Sequence, residues 1–422
     1  MGPSYNKSRP GIVVSARLGG MFPPPPRWSR RITTVGVTGT NGKTTTTTFL
    51  AAALARLAAP VLRVTTLGAF LDDAPLPFPA SHDVFLEAMR HGFEKGARYA
   101  AIEATSEALA LGFARGWPVS LAVFTNLTRD HLDAHGSAEH YLASKAQLFV
   151  HLPEGGAAIL NAYDPASALL AEVVPRGVRT VTYGVPSRAP GPPVLRPDLA
   201  VEGISVGWDG TRAKLAPSPR YRDLPQEIHT RAIGEPFLEN ALAALVAAIE
   251  AGVSPADAAE AIARVPAPPG RFQVLGRGPR AVVDYAHSPD ALARTLATTR
   301  GLTAGHVVVV FGAGGDRDRG KRAAMGEAAR GADRVVLTSD NPRSEDPAAI
   351  AEEIRGGLGA HPDVVIVLDR AEAIRGAIAD AGPLDVVLLA GRGPETTQVF
   401  ATGKRPLVDA EVAAEALAQR GA

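Results

Sequence analysis

Cysteine is absent from this 422-residue chain. That excludes a disulfide framework, thiolate metal sites and a cysteine nucleophile, and suits a reducing compartment. Net charge is almost absent as well: 44 Lys and Arg against 43 Asp and Glu leave +1, far from the basic surplus of a general nucleic-acid binder. No apolar run approaches the roughly 20 residues that a membrane helix needs. A cytoplasmic protein with neither a nucleic-acid nor a membrane partner is expected. Acidic residues are missing from the first 71 positions, Asp72 being the first. There Lys7, Arg9, Arg17, Arg27, Arg30 and Arg31 surround the run Pro23 to Pro26. Proline spoils the amphipathic helix of a transit peptide, so residues 1–31 are expected to form a poorly ordered basic leader with polyproline II character at the run.

What is present is ordinary globular material: 46% hydrophobic and 21% charged residues, with 43 Gly and 35 Pro. The length suggests two or three domains. From Arg31 onward short apolar runs alternate with helical patterns. Strands are expected at Ile32 to Thr38, Val61 to Thr66, Tyr99 to Thr105, Leu121 to Thr125 and Ala157 to Asn161, with a helix from Thr44 to Ala59. Short apolar runs of this kind, mostly bounded by polar or turn residues, suit buried parallel strands. Between Val178 and Leu215, β-type runs split by Pro and Gly suggest a small antiparallel insertion. Helices are expected at Phe237 to Ala251 and Pro255 to Val265, the second opened by Ser254 as cap and Pro255 at N1. Pro266 to Gly270, PAPPG, marks a domain boundary. A second alternation follows, with strands at Ala281 to Asp284, Val307 to Phe311, Arg334 to Thr338, Val364 to Leu368 and Val386 to Ala390. The expected organisation is a leader (1–31), a central α/β domain (32–265) and a C-terminal α/β domain (266–422). Ligands in such sheets sit beyond the strand C-termini.

The strongest motif is GVTGTNGKTTTT, Gly36 to Thr47. A strand ends, glycines turn the backbone, and a helix begins, so that backbone N–H groups face phosphate, Lys43 reaches the terminal phosphates and the Thr44 hydroxyl can ligate Mg²⁺. The usual phosphate-loop string is not matched literally, because Val37 stands where its first glycine would. Glu103 ends an apolar strand, where a carboxylate beside a phosphate loop can hold Mg²⁺. In Phe124 to Phe149, the acids and histidines Asp130, His131, Asp133, His135 and His140 gather after a strand. Such a group suits a transition metal or a hydrogen-bonded turn equally, and Lys145 lies in the helix that follows.

Together these segments resemble the Mur ligase family, in particular its MurE, diaminopimelate-adding type. The hallmarks read here as Gly39 to Thr44, Glu103, Thr125 to Asp133 with Lys145, Tyr285 to Leu292, Gly314 to Arg322 and Asp340 to Arg343. They span roughly residues 32 to 420 in family order. The resemblance implies a P-loop central domain with a mainly parallel sheet and a C-terminal Rossmann-like α/β domain. It also implies an ATP-dependent ligase that turns an acceptor carboxylate into an acyl phosphate and joins diaminopimelate to it.

Carried over residue by residue, Gly39, Thr40, Asn41, Gly42, Lys43, Thr44 and Thr45 would bind ATP. Asn240 would lie near the adenine, and Asp284 and Tyr285 on the ribose and adenine side. Arg271 would reach the phosphates when the C-terminal domain closes about the Pro266 to Gly270 hinge. Thr44 and Glu103 would hold one Mg²⁺, and His131 a second with carbamylated Lys145, whose N-carboxylation turns a repelled ammonium into an anionic ligand. Lys43, Lys145, His131 and Arg271 form the expected catalytic set. Arg317, Asp340, Asn341, Arg343, Gly391 and Glu395 would take the amino acid, Arg for a carboxylate and Asn or Glu for an ammonium.

Departures from the family gather mainly on the acceptor side. The family carries a uridine-binding domain ahead of the P-loop, whereas 38 residues precede Gly39 here. Pro79 to Asp83 stand where the family has Thr-Thr-Pro, and Thr105-Ser106-Glu107 replaces Ser-Ser-His. On the amine side AGKGHE has become AGRGPE, changing Arg392 and Pro394, and in GEPFLEN Leu238 replaces the first Asn of the segment that carries Asn240. The expectation is an acceptor, muramoyl peptide or related, that is not gripped through UDP, or a partner chain that supplies the missing domain. A folylpolyglutamate-synthetase-like ligase and a non-catalytic nucleotide-binding scaffold are the competing readings.

Overall fold

The computed structural model describes residues 24–78, 82–128, 137–188 and 191–420. The chain divides into two compact units. The first ends at Pro266; the second comprises Ala267–Ala422 with the short segments Val206–Asp209 and Ala232–Gly234.

The first unit is built on an eleven-stranded sheet. In chain order its strands are β1 (Thr33–Thr38), β2 (Val61–Thr65), β3 (Gly68–Leu71), β4 (Ala74–Pro75), β5 (Tyr99–Glu103), β6 (Leu121–Phe124), β7 (Ala157–Asn161), β8 (Arg179–Gly184), β9 (Leu199–Gly207), β10 (Gly210–Leu215) and β11 (Glu227–Thr230). Their order across the sheet is 11-10-9-8-7-6-1-5-2-3-4. Strands β2, β5, β1, β6, β7 and β8 run parallel. β1, β5, β6 and β7 are almost wholly buried, as strands covered on both faces are.

The strand register places the Gly-rich turn. Val37 pairs with Glu103 and Thr38 with Phe124, so the turn after β1 emerges between the C-terminal ends of β5 and β6. The helix Glu235–Glu250, buried at most of its positions from Phe237 to Ala248, packs against the helix Lys43–Leu54. A helix apolar nearly all round belongs inside.

Three expectations need correction. The helix after the Gly-rich turn stops at Leu54 rather than Ala59, its last turn tightening at once into i→i−3 bonds from Arg56 N to Ala53 O and from Leu57 N to Leu54 O. The region after Val178 is not a separate antiparallel insertion. β8 pairs parallel to β7 and β9 parallel to β8, extending the main sheet, with β10–β11 antiparallel beyond; Val181 and Tyr183 are fully buried and hold β8 there. The end of the basic leader is ordered: Arg27–Arg31 is a 3₁₀ helix whose Trp28 stacks on Phe93 at 5.3 Å. Residues 1–23 lie outside the described residues.

The second unit carries a six-stranded sheet of β12 (Gln273–Leu275), β13 (Arg280–Asp284), β14 (Val307–Phe311), β15 (Arg334–Leu337), β16 (Val364–Ile366) and β17 (Val386–Ala390), in the order 12-13-17-14-15-16. All neighbours but β12 and β13 run parallel. Asp284 pairs with Ala390 and Phe311 with Leu337, which brings the turns after β13, β14, β15 and β17 to one edge. A hairpin of β18 (Thr397–Phe400) and β19 (Gly403–Pro406) follows.

Candidate functional site

In the first unit the turn after β1 is shaped by two glycines. Gly42 has φ of +84°, and a Cβ there would lie 2.2 Å from Asn240 Oδ1. A Cβ at Gly39 would fall 1.9 Å from Thr125 Oγ1. Only glycine fits either place, so the loop backbone can approach a ligand closely. The loop is braced from β6. Thr125 Oγ1 donates to Asn41 O at 2.6 Å, Asn41 N donates to Asn126 Oδ1 at 2.9 Å, and Thr40 N donates to Asn126 O at 2.8 Å. Lys43 folds back over the loop, its Nζ donating to Thr40 O at 2.8 Å and Gly39 O at 3.1 Å. A lysine so placed marks where a polyanion would pull it.

Thr44 Oγ1 donates to Glu103 Oε2 at 2.8 Å, and the backbone N of Thr66 to the same oxygen at 3.1 Å. Glu103 is 3% exposed. A hydroxyl and a buried carboxylate side by side are hard oxygen donors that fit Mg²⁺. Lys145 is 1% exposed; its Nζ donates to Gly39 O at 2.8 Å and stands 4.2 Å from the centre of the Tyr141 ring. The structure therefore brings Gly39 to Thr45, Glu103, Lys145 and Asn240 together at one edge of the sheet. His131 lies outside the described residues, as do 79–81. Among the described residues no three His, Asp or Glu side chains cluster closely enough to hold a metal.

Residues not singled out in the sequence complete this edge. Asn161 Nδ2 donates to Thr125 O at 2.8 Å and to Glu239 Oε1 at 3.1 Å, and Tyr141 OH donates to Thr40 Oγ1 at 3.2 Å. Asp164 accepts from Leu127 N at 2.7 Å; burial raises its carboxyl above the usual range, against the pull of that bond. The one available signal was position, since Asn161 closes a buried strand as Glu103 does.

In the second unit Arg271 lies over the Tyr285 ring at 4.4 Å, and Asp284 accepts from Phe272 N at 2.7 Å and Ala286 N at 3.0 Å. Burial pushes the Asp284 carboxyl up; Arg271 and these bonds pull against it. Gly270 packs on the backbone of Gly393 and Pro394, where a Cβ would come within 2.3 Å.

The DNPR segment follows β15. Asn341 Nδ2 donates to Glu395 Oε2 at 2.7 Å and Asp340 Oδ1 at 3.1 Å. A Cβ on Gly391 would lie 2.9 Å from Asp340 Oδ2, so the missing side chain leaves that oxygen open. Glu395 is held above the usual carboxylate range by burial first and by Asp340 second; Asn341, Arg392 and His287 oppose this. Arg343 sits at φ +53°, an unusual backbone for a non-glycine residue. Its Nη1 donates to Gly315 O at 2.7 Å, and it has no carboxylate partner among the described residues. Arg317 lies beside it: a Cβ on Gly314 would stand 2.9 Å from Arg343 Nη1 and 3.6 Å from Arg317 Cγ. The loop carrying Arg317 is fixed by Glu345, which accepts from Asp316 N at 2.6 Å and from buried Arg322 at 2.8 Å; Arg322 holds the Glu345 carboxyl down to about 2. All six amino-acid positions named in the sequence thus meet at one edge.

A cluster of Asp340, Asn341, Arg343 and Glu395 at one sheet edge, and a phosphate-type loop with a buried Thr–Glu pair in the other unit, define a two-unit α/β nucleotide-binding class of protein. Residues 37–248 match the Mur ligase middle domain and residues 270–393 the Mur ligase glutamate ligase domain. The chain belongs to the Mur ligase family and is an ATP-dependent ligase.

It is 39% identical to the UDP-N-acetylmuramoyl-L-alanyl-D-glutamate–2,6-diaminopimelate ligase of Synechococcus elongatus over 92% of this chain and 76% of that protein. It is equally 39% identical to the ligase of the same name in Chromobacterium violaceum, over 98% and 82%. A solved structure of a ligase with this name superposes with a TM-score of 0.64 at 31% identity, covering 93% of this chain and 79% of that one. The folylpolyglutamate synthase of Mycobacterium tuberculosis superposes at 0.67 with 19% identity, over 86% and 89%, a likeness of fold. No helix among the described residues is long and apolar enough to cross a membrane.

Proposed function

We propose that this chain is a cytoplasmic ligase that joins meso-diaminopimelate to the carboxylate of a muramoyl-peptide acceptor, with ATP as the energy source. The acceptor carboxylate takes the γ-phosphoryl group to become an acyl phosphate; the amine then attacks its carbonyl carbon and phosphate leaves. The observation that carries the substrate assignment is Arg343, without a carboxylate partner among the described residues, donating from Nη1 to Asn341 O at 3.3 Å beside the group in which the Asn341 amide donates to Asp340 and Glu395. A zwitterionic amino-acid head needs both signs in one place, and the planar fork of arginine suits its carboxylate.

In the first unit Gly39 to Thr45 would cradle the triphosphate. Lys43 would exchange its two loop carbonyls for phosphate oxygens. Thr44 and Glu103 would hold Mg²⁺, which when bound neutralises phosphate charge. A second Mg²⁺ on His131 and N-carboxylated Lys145 is part of the same proposal; what supports it is that Lys145 is buried at the phosphate loop, its Nζ against Gly39 O. Asn240, packed on Gly42, would border the base, and Arg271, Asp284 and Tyr285 would serve the nucleotide from the second unit.

The test is ADP release with diaminopimelate and a panel of UDP-linked and UDP-free muramoyl-dipeptides, with lysine replacing diaminopimelate as the control. Turnover with diaminopimelate and not lysine is expected. Equal turnover with lysine would refute the amine assignment, and the acceptor that supports turnover decides whether UDP is used.

A further inference from the structure

We propose that Arg392 is a positioning residue that sets the orientation of the Asn341 amide and the Glu395 carboxylate, and through them the selectivity for the amino-acid substrate. This rests on the proposed amine site and adds to it a group that does not touch the substrate. Arg392 is fully buried. Its Nη1 donates to Asn341 Oδ1 at 3.3 Å and lies 3.4 Å from Glu395 Oε2, while Nη2 donates to Leu407 O at 3.2 Å. Its Nε stands 3.7 Å from Asp409 Oδ1. Asp409 is itself gripped by fully buried Arg370, from Nε at 2.9 Å and Nη2 at 2.7 Å.

The consequence is geometric. Asn341 Oδ1 accepts from Arg392 Nη1 and from Val399 N at 2.9 Å. With the oxygen so occupied, the amide cannot flip, and its nitrogen must face Asp340 and Glu395. That fixes which carboxylate oxygens remain free for an ammonium. A lysine in this place, as in the sequence AGKGHE, is a point charge on a flexible stem. It cannot span Asn341, Leu407 and Asp409 in one plane as a guanidinium does. The arginine of AGRGPE therefore gives this chain a more rigid amine site.

The experiment is steady-state kinetics on the full chain with Arg392→Lys, Arg392→Met and Asn341→Ala, alone and with Asn341→Ala combined with Arg392→Lys. For Arg392→Lys, KM for diaminopimelate is expected to rise about tenfold while KM for ATP stays within about twofold; discrimination against lysine as substrate should narrow. Arg392→Met should raise KM further, and should move the acid limb of kcat/KM for diaminopimelate to higher pH, because it removes one of the cations holding Glu395 down. The groups facing Glu395 there are Asp340, Arg392, Arg370, Asn341 and His287. In the Asn341→Ala background, Arg392→Lys should add little.

If Arg392→Met does not fold, Arg392→Lys and the cycle with Asn341→Ala decide the matter. An unchanged KM in Arg392→Lys, or full additivity with Asn341→Ala, overturns the positioning role alone. A wild-type chain that does not use diaminopimelate overturns it together with the proposed function.

Discussion

Single side chains here have environments that their neighbours in sequence do not announce. Lys145 lies almost wholly buried against Gly39 O, 106 positions away. If N-carboxylation is what makes that burial useful, Lys145→Ala should lose turnover by at least a hundredfold and regain part of it with millimolar short carboxylates. Rescue is read as ADP release, and the same carboxylates should do nothing for a Thr44→Ala variant. Glu395 carries a second prediction. Burial and Asp340 raise its carboxyl, so it takes up a proton at higher pH than an ordinary glutamate does. An ammonium needs the anion, so KM for diaminopimelate should climb as pH falls, beginning above the usual glutamate range. Glu395→Gln should have a high KM that no longer climbs. A wild-type acid limb at the ordinary glutamate position would contradict the assignment.

Among the elements, the joint between β1 and the helix Lys43–Leu54 is the most constrained. Gly42 caps this helix in left-handed backbone, and the helix interior is a run of threonines whose hydroxyls bond back, Thr47 to Lys43 O and Thr48 to Thr44 O, each at 2.8 Å. Such back-bonding keeps these hydroxyls hydrogen-bonded inside the fold, at a small cost to the helix backbone they bond to. Gly42→Ala should cost about 1–2 kcal/mol for the left-handed backbone alone, and its Cβ must displace the Asn240 amide. Nucleotide affinity by calorimetry should fall at least tenfold. Adding Asn240→Ala should recover the thermal stability lost to the clash and leave the backbone penalty. The elements also explain the second site: DNPR could be recognised as a strand-to-helix turn, but the hairpin β18–β19 supplies Val399 N and Gln398 to lock it.

The molecule as a whole divides its chemistry between two units, each with its own sheet and core. Thr44 belongs to one and Arg343 to the other. Thr44→Ala should abolish ligation yet leave diaminopimelate binding intact, and Arg343→Ala should abolish ligation yet leave nucleotide binding intact. Calorimetric titration of each ligand into each full-length variant checks this. Loss of both ligands in either variant would mean that the two sites are not independent at the level of binding.

Residue order alone was enough for the central strands of both sheets, for the helices that follow the Gly-rich turn and that open near Phe237 and at Pro255, and for the turn chemistry of Gly39 to Thr44; Glu103 stood out as a carboxylate at a strand end, whereas Asp340, Asn341, Arg343, Gly391 and Glu395 were named through the resemblance to the Mur ligases. All but the last group are local signals: apolar runs, glycines that only a tight turn requires, and a charged residue at a strand end. It misplaced β8 and β9, because pairing direction depends on partners far along the chain. It also missed Thr66, Asn161, Glu239, Arg370 and Asp409. Arg370 meets Asp409 across 39 positions and Asn161 meets Glu239 across 78; no period or motif encodes such meetings. They come into being with the fold, because burying a charge is tolerable where a counter-charge arrives in the same place, and which residues arrive together is set by how the sheets pack.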